Sequence, residues 1–178
     1  MSGSHTCSSI RTPLLGLIVL LVVTSAMVVA AAPAQAHMLH KWWREQRHIK
    51  HRGLSQRGAP YRYGGTSRSG FDCSGFTRWA YHRHGEWLPH SSARQFRLAG
   101  HHGYKRVWKR SRLHIGDLVF FHTTSARVGH VGIYIGRGKF IASNSSSGVK
   151  VESIYDPYYW GPRYVGATRP PVTRRSRG

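Results

Sequence analysis

The stretch GDLVFFHTTSARVGHVGIYIGRGKFIASN, residues 116–144, decides the fold. Gly116-Asp117 reads as a turn and Leu118-Val119-Phe120-Phe121 as a buried strand. Val131, Ile133 and Ile135 alternate with Gly132 and Tyr134, the period of two of a strand with distinct faces. Gly136-Arg137-Gly138 is a turn, so Lys139–Asn144 pairs back as a hairpin. Downstream, residues 149–154 alternate again, and Tyr164 to Thr168 makes a last strand. Upstream the pattern is helical. In CSGFTRWAYHRH, residues 73–84, Phe76, Ala80 and Tyr81 fall near helical spacing, with Asp72 as N-cap and Gly85 as stop. Ser91 to Leu98 forms a second short helix. Helices followed by strands predict an α+β domain, a helix bearing Cys73 packed on an antiparallel sheet bearing His130.

A chain of 178 residues can bury one real core and not two comfortable ones. Residues 1–36 read as a signal peptide: Arg11 precedes an apolar run that ends at Ala34-Gln35-Ala36, a small-x-small cleavage site. An uncleaved anchor is the alternative, and membrane contact is expected only in that case. Residues 37–57 are basic and rich in histidine, and read as an arm or accessory helix, with Trp42, Trp43 and Ile49 marking a weak face. The catalytic domain is expected over residues 58–169. Residues 170–178 read as a basic disordered tail.

The net charge is +21, or +20 without Arg11. Such a charge suits a polyanion. With an export signal, nucleic acid is the wrong partner; anionic cell-wall polymers, held through the basic arms, fit better. Only six carboxylates occur: Glu45, Asp72, Glu86, Asp117, Glu152 and Asp156. None are locally paired, which argues against a glycosidase. There is no lysine-bearing phosphate loop and no HExxH helix, and no metal or organic cofactor is expected.

Removal of the leader takes Cys7 with it and leaves Cys73 as the lone cysteine. An odd cysteine in an exported chain implies intermolecular pairing or a reactive thiol. In Asp72-Cys73-Ser74-Gly75 the thiol stands at a helix start, where free N–H groups lower its pKa and can hold an oxyanion. It needs a base. Among thirteen histidines, His130 is singled out by its flanking glycines and by the strand it opens. His122, just past the Phe120-Phe121 strand, is the runner-up.

Five segments occur in order: Tyr61-Arg62-Tyr63-Gly64-Gly65, Phe71-Asp72-Cys73-Ser74-Gly75-Phe76, Leu88-Pro89-His90-Ser91-Ser92-Ala93-Arg94-Gln95, Gly116-Asp117-Leu118-Val119-Phe120-Phe121 and Gly129-His130-Val131-Gly132-Ile133-Tyr134. In this the chain resembles the NlpC family of papain-like cell-wall cysteine peptidases. The resemblance implies a papain-like fold, Cys73 as nucleophile and His130 as base. It implies a third polar residue on the strand Lys139–Asn144. Many members have histidine where this chain has Ala142; Asn144, two residues on, shares that strand face, with Ser143 and a backbone carbonyl as alternatives. Tyr61 is implied near the nucleophile. Asp72, Ser91 and Ser92 are implied at the pocket for the free amino end of a stem peptide, with Ser74 a further substrate-binding candidate; His90 stands where arginine is frequent. The implied reaction is hydrolysis of the D-γ-glutamyl bond to a diamino acid in peptidoglycan stem peptides, by a secreted, wall-associated monomer. A non-catalytic basic wall-binding module, an amidase or acyltransferase on the same fold, and a membrane-active basic protein are the alternatives.

Overall fold

The computed structural model describes residues 37–171, so the expected leader, residues 1–36, and residues 172–178 of the expected tail lie outside the described residues. The chain divides into residues 1–41 and residues 42–178; of the first, residues 37–41 are described and helical. The second carries all the elements that follow.

A helix, α1, covers residues 42–54. Ile49 and Gln46 of this helix are fully buried, while Trp43 is exposed. A two-stranded ribbon follows, β1 (Thr66–Ser67) and β2 (Gly70–Phe71), then helix α2 (Cys73–His82) and helix α3 (Ser92–Arg97). Helix α2 stops two residues short of the expected span, its last turn unwinding toward Gly85 at φ +79. Strands β3 (Lys105–Val107), β4 (Leu118–Phe121), β5 (His130–Gly136), β6 (Lys139–Asn144), β7 (Gly148–Ser153) and β8 (Tyr164–Arg169) form one sheet, with a short helix α4 (Trp160–Arg163) entering β8. The strand order is β3-β8-β4-β5-β6-β7, and every pairing is antiparallel. Strands β4 to β8 lie where the sequence pattern places them. Strand β3, the ribbon and α4 are too short for periodicity to reveal.

Alternation along the strands builds two cores. Leu118, Phe120, Val131, Ile133, Ile135 and Ile141 pack against Ile49, Phe71, Phe76, Ala80 and Tyr81 from the helices and ribbon. Val119, Phe121, Tyr134, Phe140, Ala142 and Ala167 pack with Trp160 and Ile154 on the other face. Each fully buried large side chain contributes roughly 1.5–3 kcal/mol relative to exposure. Two polar ties hold the frame. The Tyr81 hydroxyl donates to the Gly116 carbonyl. Buried Asp117 takes a two-pronged grip from Arg169, Nε to Oδ1 and Nη2 to Oδ2, each 2.8 Å.

The start of α2 is pressed against the chain before it. Asp72 caps the helix, accepting from the Gly75 N–H at 2.6 Å and from Ser74 Oγ at 3.0 Å, while its second oxygen accepts from the Gly64 N–H at 3.0 Å. This closeness requires glycine at 75: a Cβ there would stand 2.0 Å from the Gly65 carbonyl oxygen. Backbone on the other side cannot yield as a flexible side chain would. Gly75→Ala is therefore expected to destabilise the domain by at least about 2 kcal/mol, read as a lower urea midpoint. An unchanged midpoint would show that the contact of helix and loop is not needed for stability.

Candidate active site

Tyr61, Cys73, His130 and Asn144 line one cleft of about 600 Å³, with Thr123, Thr124, Gly129, Glu152, Tyr159 and Trp160. Separate elements bring them there. Cys73 is the first residue of α2, directly after its cap. His130 opens β5, opposite Phe121 of β4. Tyr61 is carried in by a bridge to Phe71, two residues before the cysteine. Ile133 pairs with Ile141 and Tyr134 with Phe140. Continued to the end of the hairpin, this register sets Asn144 opposite His130. Ser143 points the other way and donates to the Phe71 carbonyl at 2.7 Å, so its hydroxyl is engaged in the core.

Burial dominates the electrostatics. It pushes the Cys73 thiol up to about 11. Hydrogen bonding from the Val131 backbone opposes the rise, Asp72 adds to it, and the Ser74 and Cys73 backbone groups oppose it again. The expected lowering by the helix start is present but outweighed. His130 is pulled down to about 4, again mainly by burial, with Asn144 acting in the raising direction. Trp160 explains much of this burial: its ring lies 5.0 Å from the imidazole, tilted by 32°. Both groups are thus neutral at rest, and no hydrogen bond joins Sγ to the ring. Tyr61 is raised by burial first, then by Cys73 and Asp72, so its phenol remains a protonated donor.

The surroundings of Ala142, the position at which the resemblance implies histidine in many members, are apolar. Ala142 is fully buried in the core cluster of Phe121, Phe140 and Trp160, so aromatic rings occupy the space beside it. Asn144 Oδ1 and His130 Nε2 are both buried without a partner. Asn144 is near enough to act on the imidazole, but the geometry stops short of a made hydrogen bond. The amide has a defined orientation, because its Nδ2 donates to Glu152 Oε1 at 3.1 Å. A carboxylate only accepts, so Oδ1 is the atom left free. Glu152 in turn pairs with Lys150 at 3.0 Å.

The other residues singled out in the sequence fall elsewhere. Asp72, Ser74, Ser91 and Ser92 are not among the residues lining this cleft. Asp72 is occupied by the helix cap, Ser74, Gly64 and His90, whose Nε2 lies 2.7 Å from Oδ2. Ser91 caps α3 from 3.4 Å. His122 is exposed, with Nδ1 3.1 Å from the Ala126 carbonyl, and does not line the cleft. Glu152, Trp160 and the threonine pair were not anticipated. Pairing of the strands 139–144 and 149–154 would have put Glu152 on the face of Asn144. Trp160 follows a turn no periodicity reaches.

A cysteine at a helix start, sharing a cleft with a histidine on an antiparallel sheet, defines a papain-like α+β domain. The chain belongs to the NlpC/P60 family, whose model matches residues 58–169. It is 38% identical over 112 residues to "Probable peptidoglycan endopeptidase LytE" of Bacillus subtilis (strain 168), covering 63% of this chain and 30% of that one. It is 41% identical over 114 residues to "Murein DD-endopeptidase MepS/Murein LD-carboxypeptidase" of Escherichia coli (strain K12), covering 64% and 56%. An NlpC/P60 family protein from Bacillus cereus ATCC 10987 superposes with a TM-score of 0.62 at 33% identity, covering 72% of this chain and 40% of that one. The match thus spans well under two thirds of these relatives.

The neutral resting pair has a measurable consequence. With its thiol raised to about 11, Cys73 should react with iodoacetamide at a rate that climbs steadily between about pH 5 and 9 as the thiolate fraction grows. A rate already level across that range would reveal a preformed thiolate–imidazolium pair.

Proposed function

We propose that this protein is a secreted cysteine peptidase that hydrolyses amide bonds in peptidoglycan stem peptides, at the D-γ-glutamyl bond to the diamino acid. The observation that carries the reading is the meeting of Cys73, His130 and Tyr61 in one open cleft. The relatives' names support the substrate class, and the leader-like first 36 residues support action outside the membrane.

In the proposed reaction, substrate fills the cleft and His130 takes the thiol proton as Sγ attacks the amide carbonyl. Burial that keeps the imidazole neutral leaves it free to accept that proton. The N–H groups of Cys73, Ser74 and Val131, which already act on the sulfur, and the Tyr61 hydroxyl offset developing negative charge. The imidazolium then protonates the leaving amine, and an acyl-thioester remains on Cys73. Water, activated by His130, releases the acid and restores the thiol. Asn144 Oδ1 accepts from the imidazolium Nε2–H and holds the ring, and Glu152 keeps the amide turned that way.

Cys73→Ala and His130→Ala are each expected to reduce soluble muropeptide cleavage by orders of magnitude, with the double variant scarcely worse than either single one. Mass spectrometry of the products reads both the rate and the bond cut. Normal digestion by Cys73→Ala would overturn the cysteine mechanism, and a product pair split elsewhere would overturn the bond.

Asn144→Ala should lower kcat about tenfold or more with little change in KM. Glu152→Gln, which can donate as well as accept, should let the amide turn over and lower kcat in the same direction by less. An unaltered kcat in Asn144→Ala would remove Asn144 from the reaction.

A further inference from the structure

A second cleft, of about 470 Å³, lies at the other end of α2 from Cys73. Three elements bring arginines to it: Arg52 from α1, Arg68 from the turn between β1 and β2, and Arg83 from the C-cap of α2. His48 and His51 add further donors. Arg52 is held in place. Its guanidinium carbon lies 3.7 Å above the Trp79 ring, and Nε donates to the Trp79 carbonyl at 3.1 Å. That leaves its terminal nitrogens without a hydrogen bond to the fold, on a side chain that lines the cleft. Burial first, and then Arg83 and Arg68, lower the Arg52 pKa, so the three cations act on one another.

Nothing within the cleft balances them. Its one carboxylate, Glu45, is taken by His84 at 2.7 Å. Among the described residues, neither Arg68 nor Arg83 pairs with a carboxylate. A chain with a charge of +21 is basic over most of its surface, but like charges spread over convex surface repel less than charges drawn into a hollow with low-dielectric walls. Trp79 accounts for the position of Arg52. The Arg68 guanidinium also lies over that ring, at 5.9 Å, but no ion pair balances Arg68 or Arg83 where they converge on Arg52.

We propose that this cleft binds phosphodiester groups of an anionic polyol polymer. Guanidinium forks reaching in from three directions suit a tetrahedral phosphate, whose oxygens accept several charge-assisted bonds at once. At about 470 Å³ the hollow exceeds the needs of one phosphate, which favours a chain over a free ion. It is separate from the catalytic cleft and shares no lining residue with it. A polymer seated there would tether the domain without occluding Cys73. The site stands whether or not the domain is a peptidase, and of the basic terminal segments it uses only the N-terminal one, through His48, His51 and Arg52.

Calorimetry on the full chain tests it, with a synthetic poly(glycerol phosphate), inorganic phosphate and phosphatidylglycerol vesicles as probes. Arg68→Glu/Arg83→Glu is compared with Lys105→Glu/Lys139→Glu, which makes the same change in net charge at exposed positions elsewhere. Saturable polymer binding is expected to weaken about tenfold or more in the arginine pair, against about threefold or less in the lysine pair. Inorganic phosphate should bind more weakly, with the same ranking of variants. Circular dichroism monitors folding, and Arg68→Gln/Arg83→Gln substitutes if charge reversal unfolds the domain. Equal losses in the two pairs would reduce the effect to net charge and overturn the proposal, as would absence of saturable binding. Variant-sensitive binding of phosphate alone, or of vesicles alone, would overturn the polymer assignment in favour of a small anion or a lipid surface.

Discussion

The carboxylate of Asp72 is the point on which the arrangement turns. One oxygen satisfies the free helix-start N–H of Gly75 and the hydroxyl of Ser74 at the start of α2, and the other receives the N–H of Gly64 and meets His90. Helix cap, glycine-rich loop and the approach to α3 are thereby joined through a single side chain. Because Cys73 follows directly, the same bonds fix where the thiol stands relative to the sheet. Because the loop carries Tyr61, they also fix the phenol beside it. An N-cap carboxylate is ordinarily worth about 1 kcal/mol to its helix; here it also ties the helix start to the loop before it and to His90.

A helix start favours a thiolate and burial disfavours one, and in this molecule burial is the larger influence. The aromatic group of Phe121, Phe140 and Trp160 seals one side of His130. Sealing depresses the imidazole and burial raises the thiol, so the two shifts act together to keep the proton on sulfur at rest. In the proposed reaction the proton moves only when a substrate carbonyl arrives to share the negative charge. The free enzyme would then be spared the oxidation to which an exposed thiolate outside the cell is prone.

The same aromatic packing bears on the third position. With rings filling the space at Ala142, the sheet offers its polar partner one pleat further along, directly across from His130. Asn144 can fill that role only if its amide is turned the right way, and the chain Lys150–Glu152–Asn144 supplies a physical reason for one orientation. The charge of Glu152 stays one residue removed from the ring, so it orients without adding a second negative charge next to the thiol.

The sequence by itself determined the strands β4 to β8 and the helix at Cys73, and singled out Cys73 and His130, because alternation, capping and glycine turns are local and leave a period behind. It also exposed the departure at Ala142 and pointed along the strand to Asn144. Tertiary structure decided the rest. Asp72 was legible as the N-cap, but only the folded chain shows that its second oxygen is taken by Gly64 and His90 and that Ser91 and Ser92 lie off the cleft, since hydrogen-bond partners distant in sequence leave no pattern. The sign of the Cys73 shift was equally hidden: the helix start is visible in four residues, whereas the burial that outweighs it comes from the whole sheet. The arginines of the second cleft read as scattered basic surface until α1, the ribbon and α2 bring them together, because like charges converge through the path of the chain and not through any local spacing.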